Sequence, residues 1–73
     1  MDIKSRVLLL GLYKNSDISN LETILMLVNS GVFSLKEGKQ YFKTLKKEGF
    51  ISNGKLTPIG INLAKEIELE FKL

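Results

Sequence analysis

Neither cysteine nor histidine occurs anywhere in these 73 residues, so the fold must be held by side-chain packing and, at most, a second chain. A chain of this size buries only about 60% of the surface its unfolded form exposes, which leaves a thin stability margin. The usual supplements are a disulfide, a structural metal or a partner subunit. The composition closes the first and deprives the second of its commonest ligands, thiolate and imidazole. A homodimer is the expectation that remains.

The same absences bear on function. With no histidine or cysteine, no glycine-rich phosphate cradle and no paired acids in a predicted pocket, the sequence offers no catalytic residues. It reads as a non-enzyme with no metal site and no cofactor. Lack of cysteine suits a reducing cytosol, and a cytoplasmic protein is expected. The apolar run at Val7–Leu12 is short and is followed by Lys14-Asn15-Ser16-Asp17 rather than a small-residue cleavage site. The run Ile24–Val28 is shorter still, and neither approaches the roughly 20 residues needed to cross a bilayer.

Net charge is +3, and its distribution matters more than its size. Residues 1–33 are neutral overall and residues 56–73 carry −1. Residues 34–55 hold Lys36, Lys39, Lys43, Lys46, Lys47 and Lys55 against only Glu37 and Glu48, a local excess of +4. Segregation of this kind points to a surface that faces a polyanion.

Periodicity and punctuation predict one domain over 1–73, containing four helices and a hairpin. Ile3, Val7 and Leu10 recur at helical spacing over Ile3 to Tyr13, with Leu9, Leu12 and Tyr13 left on a greasy far side. Ser19-Asn20-Leu21-Glu22 fits a capping box opening a second helix. Leu21, Ile24, Leu25 and Val28 are its expected buried stripe, with Met26 also in the core, and Gly31 suits the left-handed position after its end. A second capping box, Ser34-Leu35-Lys36-Glu37, opens a third helix running to about Glu48. At 100° per residue Leu35, Gly38, Phe42 and Leu45 gather on one side and Lys36, Gln40, Lys43 and Lys47 on the other, bordered by Lys39 and Lys46. Gly38 is read as a close helix–helix contact, Phe33 as core and Tyr41 as a packing residue.

Asn53-Gly54 is the strongest short signal for a hairpin turn, here between Phe50-Ile51 and Leu56-Thr57. Thr57-Pro58 then opens a fourth helix, with Ile59, Leu63, Ile67 and Phe71 at i+4. Residues 66–73 alternate polar and apolar, so a terminal strand pairing across a dimer competes with helix there; helix is preferred through about Phe71. Glu66, Glu68 and Glu70 read as a solvated face.

From Tyr41-Phe42-Lys43-Thr44-Leu45-Lys46-Lys47-Glu48-Gly49-Phe50-Ile51 to Leu56-Thr57-Pro58-Ile59-Gly60 the chain resembles winged helix-turn-helix regulators of the MarR and PadR kinds and their small archaeal relatives. The resemblance is strongest from about Ser34 to Lys65. It implies a mainly α fold with a small β-hairpin, in the order α, α, α, β, β, α, and a DNA-binding protein, a homodimeric transcriptional regulator. The third helix, about 35–48, would enter the major groove of double-stranded DNA.

Two features depart from that pattern: Lys55 is the hairpin's only basic residue, and the third helix carries no arginine. A lysine face positions on phosphates better than it reads bases. Gln40 is the best base-reading candidate, because its amide matches adenine. Lys36 and Lys39, near the helix N-terminus, reach toward base edges, while Lys43 and Lys47 meet phosphates. The N–H groups around Ser19-Asn20 and Ser34 are available to phosphate oxygens. The dimer surface is expected from the first and last helices, where Leu9, Leu12, Leu69, Phe71 and Leu73 exceed what one small core needs. The competing reading is a winged-helix protein–protein interaction module, an adaptor or a plasmid or phage accessory protein that does not bind DNA.

Overall fold

The computed structural model describes residues 1–71. Four helices, α1 (Ile3–Lys14), α2 (Asn20–Asn29), α3 (Leu35–Lys47) and α4 (Pro58–Phe71), surround a common core, and a two-stranded antiparallel hairpin, β1 (Ile51–Ser52) and β2 (Lys55–Leu56), lies between α3 and α4 in the chain. The element order is the expected one, and α4 stays helical through Phe71, which decides helix over strand for residues 66–71. Residues 72 and 73 lie outside the described part. Among the described residues no helix is long and apolar enough to cross a membrane.

The boundaries follow from local chemistry. Ser34 Oγ accepts from the Glu37 N–H at 3.1 Å while the Ser34 N–H donates to Glu37 Oε1 at 2.9 Å, a complete capping box. At α2 only the first half of that arrangement forms, with Ser19 Oγ accepting from the Glu22 N–H at 3.1 Å. Asp2 caps α1 by accepting from the Lys4 N–H. Helices α2 and α3 stop in the same way. The N–H groups of Gly31 and Val32 return to the carbonyls of Val28 and Leu27, and those of Gly49 and Phe50 return to Lys46 and Leu45. This paired reversal needs a left-handed residue just past the helix, and Gly31 (φ 82°) and Gly49 (φ 86°) supply it without Cβ strain.

In the hairpin Ile51 faces Leu56 and Ser52 faces Lys55, across a turn in which Asn53 and Gly54 both have positive φ. The Thr57 hydroxyl donates to the Gly49 carbonyl at 2.7 Å and accepts from the Gly60 N–H at 3.2 Å. One side chain therefore both caps α4 and ties it to the end of α3.

The core comprises Leu8, Leu9, Leu12, Ile24, Phe33, Leu45, Ile51, Ala64 and Ile67. Three expected helix faces are turned relative to this core. Helix α1 packs against α2, α3 and α4, so it buries a broad face containing Ser5, Leu8, Leu9 and Leu12, while Ile3 is exposed. Leu9 and Leu12, expected at a dimer surface, are core residues. In α2, Thr23 and Ile24 are buried, whereas Leu21, Leu25 and Met26 are exposed; the packing face lies on the opposite side of Ile24 from the one expected. In α4 the buried residues are Gly60, Ala64 and Ile67, and Ile59 and Phe71 face out. A Cβ on Gly60 would sit 2.2 Å from the Phe50 carbonyl oxygen, so this glycine sets how closely α4 approaches the strand entry and hence its rotation. Gly38 is the close contact expected: a Cβ there would come within 2.7 Å of the Phe33 ring and 2.8 Å of Ile24. Leu35, assigned to the apolar side of α3, is partly exposed at the first turn.

Candidate nucleic-acid interface

Helix α3 displays its charge as the sequence predicts. Lys36, Lys39, Gln40, Lys43, Lys46 and Lys47 are all exposed, while Gly38 and Leu45 are buried on the other side. Gln40, Lys43 and Lys47 line one open depression on the outer face together with Thr44. Thr44 is only about 40° around the helix from Gln40, and its hydroxyl donates to the Gln40 carbonyl at 3.1 Å. It is the one residue of this depression that the sequence reading did not name, and the helical angle alone would have found it.

The electrostatics of the molecule sharpen this face. The cations of α1 are each taken up by a carboxylate on another helix: Lys4 by Glu37 at 3.8 Å, Arg6 by Glu70, and Lys14 by Glu68. Glu68 and Glu70, expected merely to be solvated, are thereby bound to α1. The lysines of α3 have no acidic partner within ion-pair distance among the described residues. Exposed pairs such as these contribute little stability each, but they cancel charge locally. The unbalanced positive charge is left mainly on one helix.

The remaining candidates are placed differently. Ser34 is exposed, and its hydroxyl is occupied by the capping box. That box also holds the Glu37 carboxylate at the start of α3. The Glu37 pKa is lowered, first by the Ser34 N–H and then by the Lys4 charge. The helix start thus has free Leu35 and Lys36 N–H groups beside a fixed carboxylate. Tyr41 is half-buried, its ring centroid 5.8 Å from that of Phe33 and its hydroxyl 3.4 Å from Asp2 Oδ2. Partial burial and then the Asp2 charge push its pKa up. It packs, as expected.

Ser19, Asn20 and Lys55 come together away from that depression, lining a second and larger groove between the start of α2 and the hairpin. The Asn20 amide is committed there, donating to the Gly54 carbonyl at 2.7 Å. Comparison with family models, with curated proteins and with solved structures found no match for this chain.

Proposed function

We propose that this chain is a winged helix-turn-helix DNA-binding protein, a homodimeric transcriptional regulator whose α3 enters the major groove. The observation that carries the reading is the outer face of α3, where Lys36, Lys39, Lys43, Lys46 and Lys47 are exposed and have no acidic partner among the described residues. Support for the architecture comes from the order of elements, with α2 and α3 joined by the short turn at 30–34 and the hairpin following α3 directly. A helix with one apolar and one cationic face can pack inward while its ammonium groups meet phosphates. Gln40 and Thr44, in the same depression as Lys43 and Lys47, are the groups suited to base edges. Copies would associate through the first and last helices.

The test is a fluorescence-anisotropy titration of the protein with mixed-sequence duplex DNA over a range of salt. Four phosphate contacts per subunit, eight in the dimer, give a log–log slope of about −7, or roughly a ten-thousandfold loss of affinity on a fourfold rise in salt. The combined Lys36→Glu, Lys39→Glu and Lys43→Glu variant should abolish binding while retaining the native circular-dichroism spectrum. Undiminished binding by that variant, or binding indifferent to salt, removes the reading.

A second reading, the protein–protein interaction module, draws on exposed Leu21, Leu25 and Met26, which place apolar surface on α2. It predicts no measurable affinity for duplex DNA in the same titration.

A further inference from the structure

Helices α2 and α3 meet where Ile24 lies against Gly38, on which an added Cβ would come within 2.8 Å of the Ile24 side chain. We propose that the outer side of this seam docks an amphipathic helix of a partner protein. That helix lays its apolar stripe on Leu21, Leu25 and Leu35 and turns an acidic flank to Lys39 and Lys46. The surface does not depend on α3 meeting DNA.

Helical angle sorts the residues on either side of the contact. Leu21 and Leu25 lie about 60° and 100° around α2 from Ile24, and Leu35, Lys46 and Lys39 lie about 60°, 80° and 100° around α3 from Gly38. On the opposite side of the contact both helices turn to α1. There Thr23 and Leu27 approach Gly11, Glu37 pairs with Lys4, and Tyr41 reaches Asp2. Leu21, Leu25, Leu35, Lys39 and Lys46 therefore share the flank away from α1, and all are exposed. Half-buried Val28 and Phe42 lie beneath them at the same seam.

Leu21 and Leu25 are one turn apart and Leu35 comes from the neighbouring helix, so the apolar surface is a shallow trough rather than a lone side chain. A helix laid along such a trough buries residues spaced i, i+4 and i+7. Lys39 and Lys46, about two turns or 10.5 Å apart along α3, have no acidic partner among the described residues. Acids one heptad apart on a single helix match that separation. Exposed Glu22 lies about 60° beyond Leu25, at the far rim. Charge across the trough thus runs from cationic through apolar to anionic, which favours a helix that is acidic on the α3 side and not on both. Complementarity of this kind sets partner choice and register.

The full chain is titrated at physiological salt with a labelled two-heptad peptide carrying leucine at its core positions and glutamate along one flank. A twin peptide bears lysine in place of the glutamate. Binding is followed by fluorescence anisotropy and by backbone amide shifts in NMR. The acidic peptide should bind and shift the amides of Leu21, Leu25, Leu35, Lys39 and Lys46, and the basic twin should bind far more weakly. Reversing both seam cations, Lys39→Glu with Lys46→Glu, should weaken the acidic peptide by about tenfold and strengthen the basic one. Lys47→Glu, about 180° around α3 from Gly38, should weaken the acidic peptide much less, since salt screens exposed charges over about 8 Å. Leu25→Ser, at an exposed position, should weaken the acidic peptide and retain the native circular-dichroism spectrum. The proposal is overturned if the parent binds both peptides alike, if Lys47→Glu weakens the acidic peptide as much as the double reversal, or if the shifts fall on Ile3, Leu69 and Phe71. A fall in the sedimentation mass of the protein alone on Leu25→Ser would assign the trough to a second copy of the chain, and overturns it equally.

Discussion

Two glycines and one threonine show how tightly single residues constrain this small core. A Cβ on Gly60 meets backbone, the Phe50 carbonyl oxygen at 2.2 Å, and backbone can relieve the clash only by moving α4. A Cβ on Gly38 meets side chains, the Phe33 ring and Ile24, which can shift by rotation. Alanine within a helix also gains about 1 kcal/mol over glycine in propensity. Gly60→Ala should therefore cost about 3 kcal/mol, at the upper end of ordinary overpacking, and Gly38→Ala distinctly less. Urea unfolding midpoints compare the two, and a Gly38→Ala midpoint as low as that of Gly60→Ala would contradict this account. Thr23 offers the opposite case. It is 1% exposed, and its Oγ1 is buried without a hydrogen-bond partner among the described residues. An unsatisfied buried hydroxyl costs stability, whereas a methyl of the same shape does not. Thr23→Val should raise stability by about 1 kcal/mol in the same denaturation experiment.

At the scale of the elements, Glu37 couples the cap of α3 to α1 through Lys4. Its folded-state pKa lies below the ordinary carboxylate value, so in the interval between the two the unfolded chain binds more protons than the folded one. The stabilisation is complete above the ordinary carboxylate range and is lost as pH falls through that range and then through the depressed value. Glu37→Gln should flatten this acid limb of a stability-against-pH curve, with Lys4→Met flattening it less, because the Ser34 N–H outweighs Lys4 as a cause. Equal acid limbs in Glu37→Gln and the parent would remove the coupling. Element boundaries were legible in the sequence because they rest on local chemistry, as at Ser34 to Glu37, Asn53-Gly54 and Thr57-Pro58. Rotations of α1, α2 and α4 were not. Leucine, isoleucine and methionine occur nearly all round α1 and α2, so periodicity leaves several faces open. For α4 the choice was made by the fit of Gly60 to a carbonyl distant in sequence. On α3 charge marks the outer side unambiguously, and the face of Lys36, Gln40, Lys43 and Lys47 was foreseen from the helical angle.

Across the whole molecule, the contacts between α1 and α4 both neutralise charge and determine which apolar surface is left over. With Leu9 and Leu12 in the core, the surplus reduces to the ends of the two helices. The Arg6–Glu70 pair brings the beginning of α1 toward the last turn of α4. Exposed Ile3 lies three residues before Arg6, and Leu69 (70% exposed) and Phe71 (45% exposed) flank Glu70. These residues form the apolar surface available to the proposed dimer, and a self-complementary patch is what two-fold association requires. Sedimentation equilibrium of the parent should give twice the chain mass, and the combined Leu69→Lys and Phe71→Ser variant should give the monomer. The four-helix core does not use these side chains, so the monomer should keep its helical circular dichroism. DNA affinity supplies the second readout. A dimer engages two half-sites about one helical turn apart, and loss of one subunit's contacts halves the salt slope. A monomeric parent at high concentration would place the surplus apolar surface elsewhere in function and leave α3 to bind DNA as a single unit.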